Sequence, residues 1–194
     1  LHAFSYTSVV TRHFSAVTPE NALKLGPHWR PSGFDWAEAD AIAEIARGDG
    51  LGMRVHTFVW EHEDGLLPGM HQMAPAACKD RLAQHIQATV RRYGDLIVSI
   101  DVVNEPLTAR GAVSMPKWTA CLDADPIAFA FQETRRALDA AGLRNVALVI
   151  NEYDTLGPSR KADGLYQLAR DLRQRGVPVD TIGFQAHLHV DTAP

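Results

Sequence analysis

The sequence predicts an α/β fold of the eight-stranded barrel type, and three observations predict it. Short apolar, partly β-branched segments alternate with helical patterns along the chain. Those segments are almost continuously apolar, as strands covered on both faces are. Nearly every one ends in a charged or amide residue, and no glycine-rich phosphate-binding turn follows the first. A barrel with a polar mouth therefore fits better than an open doubly wound sheet.

In chain order, the first expected strand covers residues 14–18 and leads to Glu20-Asn21. A helix follows from Asp35, with Ala39, Ile42, Ile45 and Ala46 on one face and a stop at Gly48 and Gly50. The second strand, 53–59, precedes a helix over 75–93 whose apolar stripe is Leu82, Ile86 and Val90 and which ends at Gly94. The third strand, 97–104, delivers Asn104-Glu105. Asp125-Pro126, a capping residue with proline in the first turn, opens a helix carrying Ile127, Phe131, Leu138 and Ala141 up to Gly142. Strand 146–151 ends in Asn151-Glu152, and the helix over 159–175, with Leu165, Leu168 and Leu172, stops at Gly176. Strand 181–185 brings up Gln185 and His187.

Successive strand ends near 18, 59, 104, 151 and 185 lie some 34 to 47 residues apart. Eight such units need about 300 residues, so these 194 residues hold about five units, read as a single partial catalytic barrel domain over 1–194. The balance of 19 basic against 23 acidic residues, with no basic block, gives nucleic-acid binding no support and suits a neutral or weakly charged substrate. No apolar run approaches the roughly 18 to 20 residues that span a bilayer, and the first residues show no targeting signal. Cys78 and Cys121 form no CxxC pattern and lie among apolar neighbours; buried thiols are the simpler expectation, with one disulfide open.

The sharpest chemical feature is Asp101-Val102-Val103-Asn104-Glu105-Pro106, a buried strand that sets an amide and a carboxylate side by side at its mouth. Glycoside cleavage requires a carboxylic acid to protonate the leaving oxygen and a second carboxylate to attack the anomeric carbon. Glu105 suits the acid role, and Asn104 suits a hydrogen bond to a sugar hydroxyl beside the reacting carbon. A neutral polyol further needs amide, carboxylate and ammonium partners for its hydroxyls and aromatic faces for its C–H surfaces. Glu20, Asn21, Lys24, Asn104, Gln185, Trp60 and Tyr153 supply that inventory. His187 and His189 share a face if the strand continues, which also suits a metal, but hydrogen bonding to substrate or a carboxylate is the preferred reading. No metal or cofactor is expected.

Five motifs in order resemble glycoside hydrolase family 10, whose best-known members are endo-1,4-β-xylanases. Residues 14–24, FSAVTPENALK, resemble the segment after the family's second strand, which implies sugar binding by Glu20, Asn21 and Lys24. His56-Thr57-Phe58-Val59-Trp60 resembles the third-strand motif and places His56 and Trp60 against the sugar. Asp101 to Glu105 resembles the fourth, with Glu105 as acid/base; Asn151-Glu152-Tyr153-Asp154 resembles the fifth. Ile182-Gly183-Phe184-Gln185-Ala186-His187 resembles the sixth, whose glutamine and histidine orient the two carboxylates. The resemblance implies strands 2 to 6 of a TIM (β/α)8-type barrel and a retaining, secreted hydrolase of β-1,4-linked xylan.

The sequence departs from that pattern in places. Glu61 and His62 follow Trp60 where the family usually has a histidine, Ile100 replaces a tryptophan before Asp101, and Leu25 stands where an aromatic is common. The family's nucleophile is a glutamate in a Thr-Glu-Leu-Asp-like motif on the seventh strand, expected beyond Pro194, so the 194 residues by themselves are expected to be inactive. Other readings of the same residues are a non-catalytic carbohydrate-binding module and a cellulase- or mannanase-type hydrolase of the same barrel superfamily.

Overall fold

The computed structural model describes residues 2–188. Its elements run α1 (His2–His13), β1 (Ala16–Val17), α2 (Leu25–His28), β2 (Trp29–Arg30), β3 (Gly33–Phe34), α3 (Ala37–Gly48), β4 (Gly52–Trp60), α4 (Pro75–Tyr93), β5 (Ile97–Asn104), α5 (Pro116–Leu122), α6 (Pro126–Ala140), β6 (Ala147–Glu152), α7 (Arg160–Gln174) and β7 (Thr181–Phe184). Two short 3₁₀ turns, Glu63–Gly65 and Met70–Gln72, lie between β4 and α4.

Helix boundaries follow local chemistry. Asp125 accepts hydrogen bonds from the backbone N–H groups of Ile127 and Ala128 at 3.0 and 3.1 Å, and Ser159 accepts one from Ala162 at 3.0 Å, satisfying donors that a helix leaves open at its start. Gly142 and Gly176 sit just past α6 and α7 in the left-handed region, where a side chain is disfavoured.

Five strands form one parallel sheet in the order β1-β4-β5-β6-β7, and β2 and β3 make a separate antiparallel hairpin. The spatial order of the five never reverses, unlike a doubly wound sheet, so they are consecutive staves of a barrel. Their register aligns Trp60 with Asn104, Asn104 with Asn151 and Asn151 with Gly183, a single row at the carboxyl ends. Gly183 leaves room there for two polar side chains, since a Cβ on it would lie 2.7 Å from Asn151 Oδ1 and 2.8 Å from an Arg54 guanidinium nitrogen and would push them aside.

Along β4, Met53 and Val55 are buried while Arg54 and His56 are half-buried, the alternation that separates helix-facing from lumen-facing positions; it breaks at the register shift between His56 and Val59, where Thr57, Phe58 and Val59 are all buried before the half-buried Trp60. The helix-facing set packs on Leu82 and Ile86 of α4 and Phe131 of α6, all fully buried. Each such side chain contributes roughly 1.5–3 kcal/mol through loss of apolar surface from water. Beyond β5, a loop reaches Gly111, whose carbonyl would stand 2.2 Å from a Cβ on Gly164 in α7; a Cβ on Gly111 would stand 2.2 Å from the Arg160 carbonyl. The two backbones touch there.

The structure refines several expectations. The strand expected at 14–18 is only Ala16–Val17, since α1 runs to His13 and Phe14 donates its N–H to the Val10 carbonyl at 3.0 Å. The hairpin of β2 and β3, the short α2 and α5, and α1 itself were not anticipated. Cys78 on α4 and Cys121 on α5 are joined as a disulfide, not two thiols. Among the described residues, no helix is long and apolar enough to cross a membrane.

Candidate active site

The strand ends open into a cleft of about 450 Å³ lined by Thr18, Glu20, Lys24, Arg54, His56, Trp60, Asp101, Asn104, Glu105, Asn151, Phe184, Gln185 and His187. Glu105 stands just past β5 with φ 53°, in a left-handed conformation that non-glycine residues adopt sparingly and mostly at functional positions. Its N–H donates to the Asn151 carbonyl at 2.9 Å, which fixes this turn to the neighbouring strand. Its carboxylate accepts two hydrogen bonds, from the Trp60 indole on Oε2 at 2.9 Å and from Gln185 Nε2 on Oε1 at 2.8 Å.

Gln185 is a hub. Its amide nitrogen also donates to Asn104 Oδ1 at 3.2 Å, so its oxygen faces His187 Nε2 at 3.0 Å. An amide oxygen only accepts, which sets the proton of His187 on Nε2. Asn104 Oδ1 receives a second bond from Asn151 Nδ2 at 2.8 Å. With that oxygen occupied twice and no partner for its amide nitrogen among the described residues, Asn104 retains its donors for a ligand.

Deeper in the cleft, Asp101 is almost completely buried and held by Arg54, from Nε at 3.0 Å and Nη2 at 2.5 Å, and by His56 Nδ1 at 2.8 Å. The carboxylate only accepts, so His56 Nδ1–H is the donor and Nε2 is left as that ring's other polar atom. Arg54 Nη2 continues to Asn151 Oδ1 at 3.2 Å. Each polar atom of this buried carboxylate thereby has a hydrogen-bond partner, which offsets the cost of taking it out of water. On the other rim, Lys24 is buried, donates to Asn21 Oδ1 at 2.8 Å and sits 4.8 Å from the centre of the Trp60 ring. Glu20 lines the cleft, and Asn21 joins it through Lys24.

Of the sequence-predicted residues, Glu20, Lys24, His56, Trp60, Asn104, Glu105, Gln185 and His187 converge on this cleft. Tyr153 does not line it; its half-exposed ring lies over Lys161, whose ammonium is 3.1 Å from the ring centre. His189 lies outside the described residues. Arg54 and Asn151 were missed as site residues, and Asp101 was read only as part of a motif. The available signal for Arg54 was its two-residue spacing from His56, which puts both on the lumen face of β4. No group of three metal-ligating side chains is found among the described residues.

Two further carboxylates near the cleft are engaged elsewhere. Glu61 accepts the backbone N–H of Lys117 at 2.8 Å, and the fully buried Glu152 pairs with Lys161 at 2.8 Å and accepts the Leu107 N–H at 3.1 Å.

The family model for glycosyl hydrolase family 10 matches residues 1–194. Endo-1,4-beta-xylanase A of Halalkalibacterium halodurans is 32% identical in an alignment 200 residues long that covers 94% of this chain and 49% of that protein. A thermostable celloxylanase of Thermoclostridium stercorarium is 32% identical over 94% of this chain and 51% of its own length. The chain thus spans about half the length of the curated relatives it matches. Among solved structures, the Penicillium canescens endo-1,4-beta-xylanase XylE superposes with a TM-score of 0.86 at 28% identity, covering 98% of this chain and 57% of that one. Xylanase 10B from Thermotoga petrophila, in complex with xylobiose, gives a TM-score of 0.82 at 28% identity over 95% of this chain and 55% of that one.

Proposed function

The chain belongs to glycosyl hydrolase family 10, and on that premise we propose that the full-length protein is a retaining endo-β-1,4-xylanase in which Glu105 is the general acid and base. The observation that carries the reading is the Glu105 carboxylate held between the Trp60 and Gln185 donors beside the free amide donors of Asn104.

In the first step, Glu105 gives its proton to the leaving glycosidic oxygen while a second carboxylate attacks the anomeric carbon and forms a glycosyl ester. The Trp60 and Gln185 N–H groups favour this step, since they bind the carboxylate that proton departure creates more strongly than the acid it replaces. The Asn104 amide would meet a sugar hydroxyl next to the reacting carbon, where partial positive charge strengthens the contact. In the second step, Glu105 removes a proton from water, the water oxygen replaces the ester, and the free sugar leaves with retained configuration.

We assign the attacking carboxylate to a seventh strand of the full-length protein. Asp101 is held by hydrogen bonds from Arg54 and His56, Glu152 is sealed in its pair with Lys161, Glu61 faces backbone donors away from the cleft, and Glu20 stands beside Lys24 among the groups assigned to sugar hydroxyls. Glu20, Asn21 and Lys24 are proposed to bind hydroxyls on the glycone side, and Tyr153 to offer its open face to a sugar farther along the chain. A polymeric substrate implies action outside the cell, and the relatives in complex with xylobiose and with xylotriose support an oligosaccharide ligand.

The test compares wild type with Glu105→Ala in the full-length protein on xylan and on an aryl xyloside whose phenol leaves without protonation. Xylan cleavage is expected to fall by about 10²–10⁴-fold, while the first step on the activated xyloside is largely kept. Wild-type cleavage of xylan by the variant would sink the assignment.

A further inference from the structure

Glu61 directly follows the indole that binds Glu105, yet its side chain turns to α5. It accepts the backbone N–H of Lys117 at 2.8 Å and that of Trp118 at 3.4 Å, and the residue before α5, Met115, offers no side-chain cap of its own. The grip is returned. Trp118 is fully buried, and its indole donates to the Trp60 carbonyl at 2.9 Å. Side chain 61 thus holds backbone 117–118 while side chain 118 holds backbone 60. Two further features leave Trp60 little room: Gly65 lies so close that a Cβ on it would be 2.5 Å from Trp60 Cβ, and α5 is tied to α4 through Cys121 and Cys78.

We infer that Glu61 is a positioning residue for the proton donor: by capping α5 it locks the Trp60 backbone so that the indole N–H stays on Glu105 Oε2. A carboxylate has two acceptor oxygens for two neighbouring N–H groups, and its negative charge suits a helix start. Trp60 is the last residue of β4, so beyond it the sheet no longer fixes the chain. Without the cap, α5 loosens, the Trp60 carbonyl loses a steady donor, and the indole swings relative to Glu105. This rests on the reading of Glu105 as acid and base.

Two measurements test it. In the 194-residue chain, Glu61→Ala is expected to shift the Trp60 indole N–H resonance towards that of a solvent-bonded indole and to speed its hydrogen exchange, with Glu61→Gln, which keeps one acceptor oxygen, moving less in the same direction. In the full-length protein, Glu61→Ala is expected to slow xylan cleavage about tenfold to a hundredfold, as misplacement of a reacting group does, and to leave the first, glycosyl-ester-forming step on an aryl xyloside with an activated leaving group nearly unaffected. An unmoved indole resonance in either folded variant overturns the proposal, as does equal slowing of the first step on both substrates, which is the mark of a merely structural defect. Should wild type cleave neither substrate, the glycanase reading fails by itself, while the indole resonance still decides the role of Glu61.

Discussion

His85 on α4 sits among aromatic rings, with Phe34 at 4.5 Å, Phe58 at 5.7 Å and Trp36 stacked at 5.8 Å between centroids. Burial pushes its pKa down to about 4, only partly opposed by the Leu23 backbone. The folded state therefore keeps the ring neutral, whereas the unfolded chain takes up a proton near pH 6.5. Stability from this site is full above pH 6.5 and is lost as pH falls towards 4, by about 3 kcal/mol in all. Urea midpoints at pH 7 and 4.5 should therefore diverge in wild type and converge in His85→Leu, whatever the variant's absolute stability. Lys161 and Glu152 are likewise buried together, so Lys161→Met should cost about 3–5 kcal/mol in the same assay by stranding a carboxylate. It should also free the lower face of the Tyr153 ring. At this scale Glu105, Asn104, Gln185 and Trp60 were legible because the chemistry of sugars demands their types at strand ends. Asn151 and Arg54 were not, because their roles come from the row and lumen that parallel pairing builds, and one strand's sequence does not encode its neighbour's register.

Helices α3, α4, α6 and α7 were readable from caps, stripes and terminal glycines over three or more turns. Helix α5 has seven residues, of which Trp118, Cys121 and Leu122 are buried, too short a run for a 3.6-residue period to declare itself. Helix α1 is rich in Ser, Thr and Val, types that favour a helix weakly. The hairpin of β2 and β3 has two-residue strands around Pro31-Ser32, below the length that alternation can reveal. The disulfide gives α5 its anchor. It closes a loop of sequence separation 43, so the chain-entropy view assigns it about 4 kcal/mol. The Cys78→Ala/Cys121→Ala variant should unfold at lower urea by about that free energy. Its amide exchange should quicken first in α5.

At the scale of the molecule, β1 and β7 are the edge strands of the sheet among the described residues. Phe14 and Ile45 are exposed beside the first and Phe184 at the second. Unpaired strand edges with apolar flanks favour association. The 194-residue chain should therefore show a sedimentation-derived mass that rises with concentration, and Phe14→Glu/Ile45→Glu should reduce that rise; a constant monomer mass at all concentrations would contradict this. The barrel class was legible from strand endings and spacing, whereas the exposed flanks of the edge strands depend on where helices pack and are a three-dimensional property. The touching backbones at Gly111 and Gly164 carry a different consequence, for laboratory evolution. A glycine inside a helix normally costs about 0.5–1 kcal/mol relative to alanine, so a random library would ordinarily enrich alanine at 164. Here backbone atoms, the Arg160 carbonyl against Gly111 and the Gly111 carbonyl and α-carbon against Gly164, occupy the space that a methyl would need. Deep sequencing of surviving clones should show both positions frozen as glycine while the letters around them drift.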